Sequence, residues 1–317
     1  MNLTRKTISA GMGLLTLCGV AILALPRTTL AEGPTLQDIT AAVTKAESAV
    51  QDLRIEFTCV GKPLGQDSES LMSMYPGNCK PSTCVYVKKG DKERLDKLSY
   101  EPTSETEQRN ATISFGGTRT HALRQIGADQ HIGQVMEGRW HAMRSVDYLN
   151  PTLTRSAQGD LPLSKELSTM GAELEKDPCT VDGVSCQAIR LYKRLPSGTV
   201  LRSFKVYLDP ARDYAVIRVE KYWYEFQCLE RTVDVEELAT VKGVYVATKA
   251  KCTTYRRPDN STTSQPLYEK VLTATNVQVN SGISDSAFAL DFPVGTRVWD
   301  STLQIVYQVP EPESPGQ

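Results

Sequence analysis

The sequence predicts a mainly β protein with a few helices, an α+β fold on one wide, curved antiparallel sheet. Three observations carry this. From Ala172 onward apolar and polar residues alternate with period two, most extensively from Tyr214 to Phe226. Turn chemistry separates the runs, at Asp182-Gly183, Asp209-Pro210, Lys242-Gly243 and Pro258-Asp259-Asn260. Helical periodicity is confined to one stretch near the N-terminus and one in the middle of the chain.

The N-terminal stretch is Leu36 to Leu53. Leu36, Ile39, Val43, Ala46, Val50 and Leu53 recur at spacings of three and four, and Thr35 can cap the helix with Pro34 just outside. The period then changes to two at Ile55, Phe57 and Cys59, so a strand follows. Gly61 to Pro81 is expected as loop. Strands are expected at Cys84–Lys88, at Lys92–Tyr100, in a hairpin over Ala111–Ile126 turning at Gly116-Gly117, and at Val135–Met143. Ser145 to Met170 is interrupted by Pro151 and Pro162. It is expected to hold one or two short helices, starting from Ser164, that cover part of the sheet. The remaining strands are Ala188–Arg194, Leu201–Leu208, Tyr214–Phe226, Cys228–Leu238, Gly243–Tyr255 and Tyr268–Val279. There is no internal repeat, and one domain over 32–309 is expected, with 310–317 a Pro/Glu/Ser-rich disordered tail.

Residues 1–31 have the grammar of a secretory signal: cations Arg5 and Lys6, an uncharged run from Thr7 to Leu25, and small residues at Thr29 and Ala31 before a cut. An uncleaved anchor and lipid attachment at Cys18 are the rival readings. The Gly/Thr-diluted run weighs against the first and Leu17 against the second. The expected location is the periplasm or the exterior. Losing Arg5, Lys6 and Arg27 leaves 33 basic and 37 acidic residues, a net charge of −4, which excludes an electrostatic footprint for nucleic acid. No second apolar run reaches membrane-spanning length, so no transmembrane span is expected in the mature chain.

Seven cysteines follow the signal. In an exported chain they read first as disulfides. The expected pairs are Cys79–Cys84 around a tight loop, Cys179–Cys186 around a hairpin, and Cys228–Cys252 on neighbouring strands. Cys59 is left over, or pairs with Cys79 or Cys84. Zinc is disfavoured, because no Cys-x-x-Cys occurs and no histidine lies nearby. His121, His131 and His141 fall ten apart, which fits neither the i,i+2 of a strand site nor the i,i+4 of a helix site.

No Gly-x-Ser-x-Gly elbow and no Gly-rich phosphate loop before a helix is present. Glu236-Glu237 are neighbours on a strand and are expected to face opposite sides. Tyr222, Trp223, Tyr224 and Phe226 suit strand packing or a binding surface. No nucleophile–base set and no cofactor pattern assembles, so the expected protein is not an enzyme and carries no cofactor.

Four features stand in the order used by exported proteins of the LolA-like fold. They are the helix–strand Leu36 to Cys59; Phe204–Pro210 with Tyr214–Glu220; Gly243-Val244-Tyr245-Val246-Ala247-Thr248; and Phe288–Asp300, with Pro293-Val294-Gly295 and Val298. The chain resembles that family over Ala172 to Tyr307, and is similar to versions from planctomycete-type bacteria. The resemblance implies a curved antiparallel half-barrel whose concave face is covered by helices and holds acyl chains. It also implies a lipid or acylated protein as ligand and an envelope protein as a further partner. The residues expected to line the apolar face are Ile189, Leu191, Phe204, Val206, Leu208, Ile217, Val219, Trp223, Val244 and Val246. The alternative is a structural or protein-interaction module of the envelope with a filled groove.

Overall fold

The computed structural model describes residues 33–65, 68–74, 76–104, 106–126, 130–140, 161–223, 228–256 and 263–312. Residues 1–32, with the expected signal, lie outside them, as do His141, Tyr224, Phe226 and 313–317.

Sixteen strands are present among the described residues. In chain order they are β1 (Asp52–Pro63), β2 (Ser82–Lys89), β3 (Lys92–Tyr100), β4 (Gln108–Gly116), β5 (Arg119–Ile126), β6 (Gln130–Glu137), β7 (Gly171–Leu174), β8 (Cys179–Val181), β9 (Val184–Arg194), β10 (Val200–Asp209), β11 (Ala215–Trp223), β12 (Cys228–Val241), β13 (Val244–Arg256), β14 (Gln265–Val279), β15 (Arg297–Asp300) and β16 (Ile305–Gln308). Among the described residues the α-helices are α1 (Leu36–Ser48), α2 (Ser68–Met74) and α3 (Leu163–Thr169).

The sheet order is β16-β15-β6-β5-β4-β3-β2-β1-β14-β13-β12-β11-β10-β9-β7, with β8 paired to β9. Two meanders meet where β1 pairs with both β2 and β14. An open twisted sheet seldom exceeds about ten strands without curling, so one this wide has to bend.

This corrects the expected antiparallel half-barrel in one respect. The sheet is mixed, because β15 runs parallel to β6. Of the stretch expected to hold covering helices, 145–160 lies outside the described residues. Helices α1 and α3 bury Ile39, Val43, Leu163 and Leu167 against Ile189, Leu191, Phe204, Val206 and Leu208, on β9 and β10. The inner face of the other half carries Leu53, Ile55, Phe57, Tyr86, Leu95, Ile113 and Phe115, and Trp140 packs against it.

Helix α1 starts as expected. Thr35 accepts from Asp38 N at 3.2 Å while Asp38 accepts from Thr35 N at 2.9 Å, a reciprocal cap. It ends earlier than expected, at Ser48, because a clasp from the residues just after β14, the strand beside β1, takes hold there. Asn280 Nδ2 donates to Ala49 O at 2.8 Å and its Oδ1 accepts from Gln51 N at 2.7 Å. Asp52 completes the clasp, accepting from Ser281 N at 2.7 Å, Gly282 N at 2.9 Å and Ile283 N at 3.3 Å. Burial pushes the Asp52 carboxyl up, but these donors outweigh it and hold it below the ordinary carboxylate value. The folded value is depressed. Its stabilisation is therefore present above the ordinary carboxylate pKa and lost as pH falls through the folded value. Asp52→Ala is expected to cost about 2–3 kcal/mol at neutral pH, the worth of hydrogen bonds to a charged acceptor. The cost should shrink in urea titrations run progressively more acid; a pH-independent cost would refute the ionised clasp.

Past the clasp the chain runs over the outer face of the first meander. Lys89 and Lys92 each reach Asp285 at 2.9 Å, Arg94 donates to Ala287 O and Ala289 O, and Ser114 donates to Phe288 O. His121 stacks on Phe292 with centroids 5.9 Å apart. Gly133 makes room for the arriving strand, since a Cβ there would sit 2.7 Å from Val298 Cγ2. Val298 is fully buried. The Phe288–Asp300 segment thus acts as a strap that delivers β15 to the edge of β6.

Two further expectations change. Gly61–Pro81 is not all loop: β1 continues to Pro63, and α2 and a 3-10 turn, Pro76–Cys79, follow. Glu236 and Glu237 do not face apart, because bulges beside them let Lys249 approach both, at 3.2 and 3.9 Å.

Candidate functional site

The ten residues expected to line one apolar surface separate. Ile189, Leu191, Phe204, Val206, Leu208 and Val219 do come together, but in the filled cluster under α1 and α3. Val244 and Val246 belong to the cluster of the other half. Ile217 turns to the outer face with Ala188, Cys186 and Tyr207, because a bulge opposite Tyr207/Leu208 brings Val216 and Val219 inward instead. Trp223 lies at the end of β11 and is 37% exposed.

A space of about 280 Å³ stays open beside α1, lined by Ala42, Ala46, Ala215 and Val244, and a second lies at the strand ends. A pocket of about 400 Å³ sits where the ends of β1, β3, β12, β13 and β14 meet the Pro76–Cys79 turn. Its apolar wall includes Cys59, Pro63, Leu267, Tyr268 and Cys252. Among the described residues five cations line it, Lys80, Lys97, Arg109, Arg231 and Lys270, and no carboxylate does.

Strand phase explains how the cations reach the inner face. On β3, Lys97 follows Leu95 by two; on β14, Lys270 precedes Leu272 by two; on β12, Arg231 precedes Val233 by two; on β4, Arg109 precedes Ile113 by four. Side chains two apart share a sheet face. In four strands, therefore, the buried apolar row ends in a cation, and the pairing register sets these ends side by side.

Two glycines let the pocket close. A Cβ at Gly61 would lie 1.7 Å from the Tyr268 hydroxyl and 2.6 Å from Asn78 O, so only glycine lets Tyr268 reach across β1 to donate to Asn78 O at 2.8 Å. A Cβ at Gly77 would lie 1.8 Å from Glu101 O, and Gly77 N donates to Pro102 O at 3.0 Å.

The cations are unequally compensated. Arg109 reaches Glu101 at 3.3 Å and Ser99 Oγ at 3.3 Å. Lys270 lies 5.9 Å over the Tyr268 ring. Burial pushes the Lys97 ammonium below the ordinary lysine value, and Lys270 and Arg109 act in the same direction. Burial also pushes the Cys84 thiol up to about 12 and the Cys252 thiol up to about 11. Those sulfurs stay protonated at neutral pH and are poor nucleophiles.

The placement of the cysteines departs from one expected pair, Cys228–Cys252. Cys252 stands opposite Val233, five residues along β12 from Cys228 or roughly 16 Å at strand rise, beyond disulfide reach. Cys84 stands opposite Phe57 in the core, whereas Cys79 shares the pocket wall with Cys59. Cys179 and Cys186 face each other across β8 and β9 with sulfurs 2.9 Å apart. Among the described residues no three His, Cys, Asp or Glu side chains are grouped to hold a metal, and no helix is long and apolar enough to cross a membrane.

No family model and no curated protein matches the chain. Among solved structures it is similar to a DUF1329 family protein from Desulfovibrio piger ATCC 29098, at 11% identity and TM-score 0.44, over 80% of this chain and 97% of that one. It is also similar to PNGF-II, at 8% identity and TM-score 0.25, where it spans 31% of that chain. A third similarity is to MucB in complex with MucA(peri), at 9% identity and TM-score 0.19, over 78% of this chain and 99% of that one. Values this low leave function to the site itself.

Proposed function

We propose that this chain is an exported, non-catalytic binding protein that takes an acyl-bearing ligand in the pocket at the strand ends, as a carrier or sensor. The single observation behind this is the pocket: it is open, part of its wall is apolar, and none of its residues forms a nucleophile–base pair. Its 400 Å³ lies near the lower end of the roughly 300–1,000 Å³ typical of small-molecule sites. That holds part of a chain. About seven methylenes at ~0.8 kcal/mol each give ~6 kcal/mol. Micromolar binding needs about 8 kcal/mol, so a polar end of the ligand has to supply the rest.

The second reading, a structural or protein-interaction module, has its own support in the buried cluster that Ile39, Val43, Leu163 and Leu167 form with β9 and β10. Native mass spectrometry of the protein taken from its source envelope separates the two. The acyl-ligand reading expects an adduct of lipid mass, released on collisional activation. A bare mass, together with no uptake from lipid vesicles, favours the module.

A further inference from the structure

We propose that the pocket recognises a phosphate-type oxyanion, a tetrahedral group of two negative charges, gripped by Lys97, Lys270 and Arg109 with Arg231 beside them. For a lipid this group is the head, and in that form the inference rests on the reading above.

Three features carry it. The five cations come from separate stretches of chain, yet their side chains converge on one cavity. Arg109 is answered by Glu101, at 3.3 Å. Lys97 forms no hydrogen bond or ion pair with another described residue, although it lies on the inner face beside the core residue Leu95. Like charges gathered on a partly desolvated wall repel, and an opposite charge placed between them relieves all of them together.

The charge count selects the ligand. With Arg109 answered by Glu101, Lys97 and Lys270 leave two charges, and a monocarboxylate meets only one of them. A phosphate monoester carries close to two charges at neutral pH and three strong acceptor oxygens, enough to meet donors from several strands. The same chemistry serves a lipid head group or a free phosphate.

The test uses the full mature chain and measures thermal midpoint and calorimetric affinity with three probes: inorganic phosphate, a short-chain phosphatidate below its micellar concentration, and the matching phosphatidylcholine. Phosphate is expected to raise the midpoint, phosphatidate to bind tighter than phosphate, and phosphatidylcholine to bind weakest. Lys97→Met and Lys270→Met should each weaken phosphate binding by about ten-fold or more, the worth of one charged hydrogen bond. Both variants should fold, since each removes a cation from a crowded wall, and circular dichroism checks this. Phosphate binding no tighter than chloride, or unchanged affinity in both folded variants, overturns the proposal. If phosphatidylcholine binds as tightly as phosphatidate, the acyl reading survives and this one falls. If phosphate binds but neither lipid does, the pocket is a free-oxyanion site and the acyl reading falls.

Discussion

Replacing Arg139 by methionine is expected to destabilise the protein by about 3–5 kcal/mol, because it leaves a buried carboxylate without its cation. Arg139 Nε meets Glu93 Oε2 at 2.7 Å, with side-chain exposures of 4% and 0%. Glu93 shares the inner face of β3 with Leu95 and Lys97, so its charge sits inside the first meander's core. The pair also holds the chain in place after β6. Gly138 O accepts from the Thr120 hydroxyl, Trp140 N donates to Thr120 Oγ1 at 3.2 Å, and the Arg124 guanidinium lies 5.1 Å over the Trp140 ring. Once Arg139 is gone, the segment that seats Trp140 on the core loosens, and tryptophan emission should shift red. Urea midpoints supply the energy. Adding Glu93→Gln to Arg139→Met should recover a large part of the loss, since the uncompensated charge is then gone. A loss under about 1 kcal/mol for the single variant would place the pair in solvent, where such bridges are worth little.

That pair was invisible in the sequence for the reason the pocket was. Period two reveals which residues share a strand face, and it marked the long β runs and the Gly116-Gly117 hairpin, as spacings of three and four with Thr35 marked the start of α1. It does not reveal which strands lie side by side when they are far apart in the chain. The signal for the pocket was nonetheless present: Lys97, Lys270, Arg231 and Arg109 each stand in the apolar phase of a strand, where a solvated face would not put them. Read strand by strand, each is a minor irregularity. Only the pairing of β1 with β14 turns them into one wall. Bulges escaped for a different reason. They need one extra residue and no special composition, so Val216 and Ile217 exchanged faces without any mark in the pattern. Helix α2 was missed because seven residues, Ser68–Met74, are too few to show a period, and helices this short take their stability from packing rather than propensity. The strap from Phe288 to Asp300 was legible as a motif, but its parallel pairing with β6 is a long-range contact that no local rule encodes.

Gly77→Ala is expected to abolish the pocket's ligand response and to cost about 3 kcal/mol, the upper part of the usual overpacking range. The reason is geometric. The new Cβ would lie 1.8 Å from Glu101 O, 2.6 Å from Ser104 O and 2.8 Å from Glu101 C, all backbone atoms. A side-chain clash can be relieved by a rotamer change, but here two backbones have to separate by more than 1 Å to restore van der Waals contact. Whichever side yields, the pocket changes. If the Pro76–Cys79 turn moves, Asn78 O leaves the Tyr268 hydroxyl and Cys79 leaves the wall. If the β3–β4 connection moves, Glu101 shifts away from Arg109 and the cation set spreads. Gly61→Ala is the informative comparison, because its nearest clash is with the tip of Tyr268. Tyr268→Phe in that background relieves it only in part, since Asn78 O remains at 2.6 Å. Hydrogen exchange should therefore rise locally over 76–79 and 99–104 in Gly77→Ala, with the β9–β11 core unchanged. Phosphate should no longer raise its thermal midpoint. A Gly77→Ala protein with native protection in both segments and an intact phosphate response would mean that the turn does not pack against Glu101 in solution, and the pocket as described here would not exist.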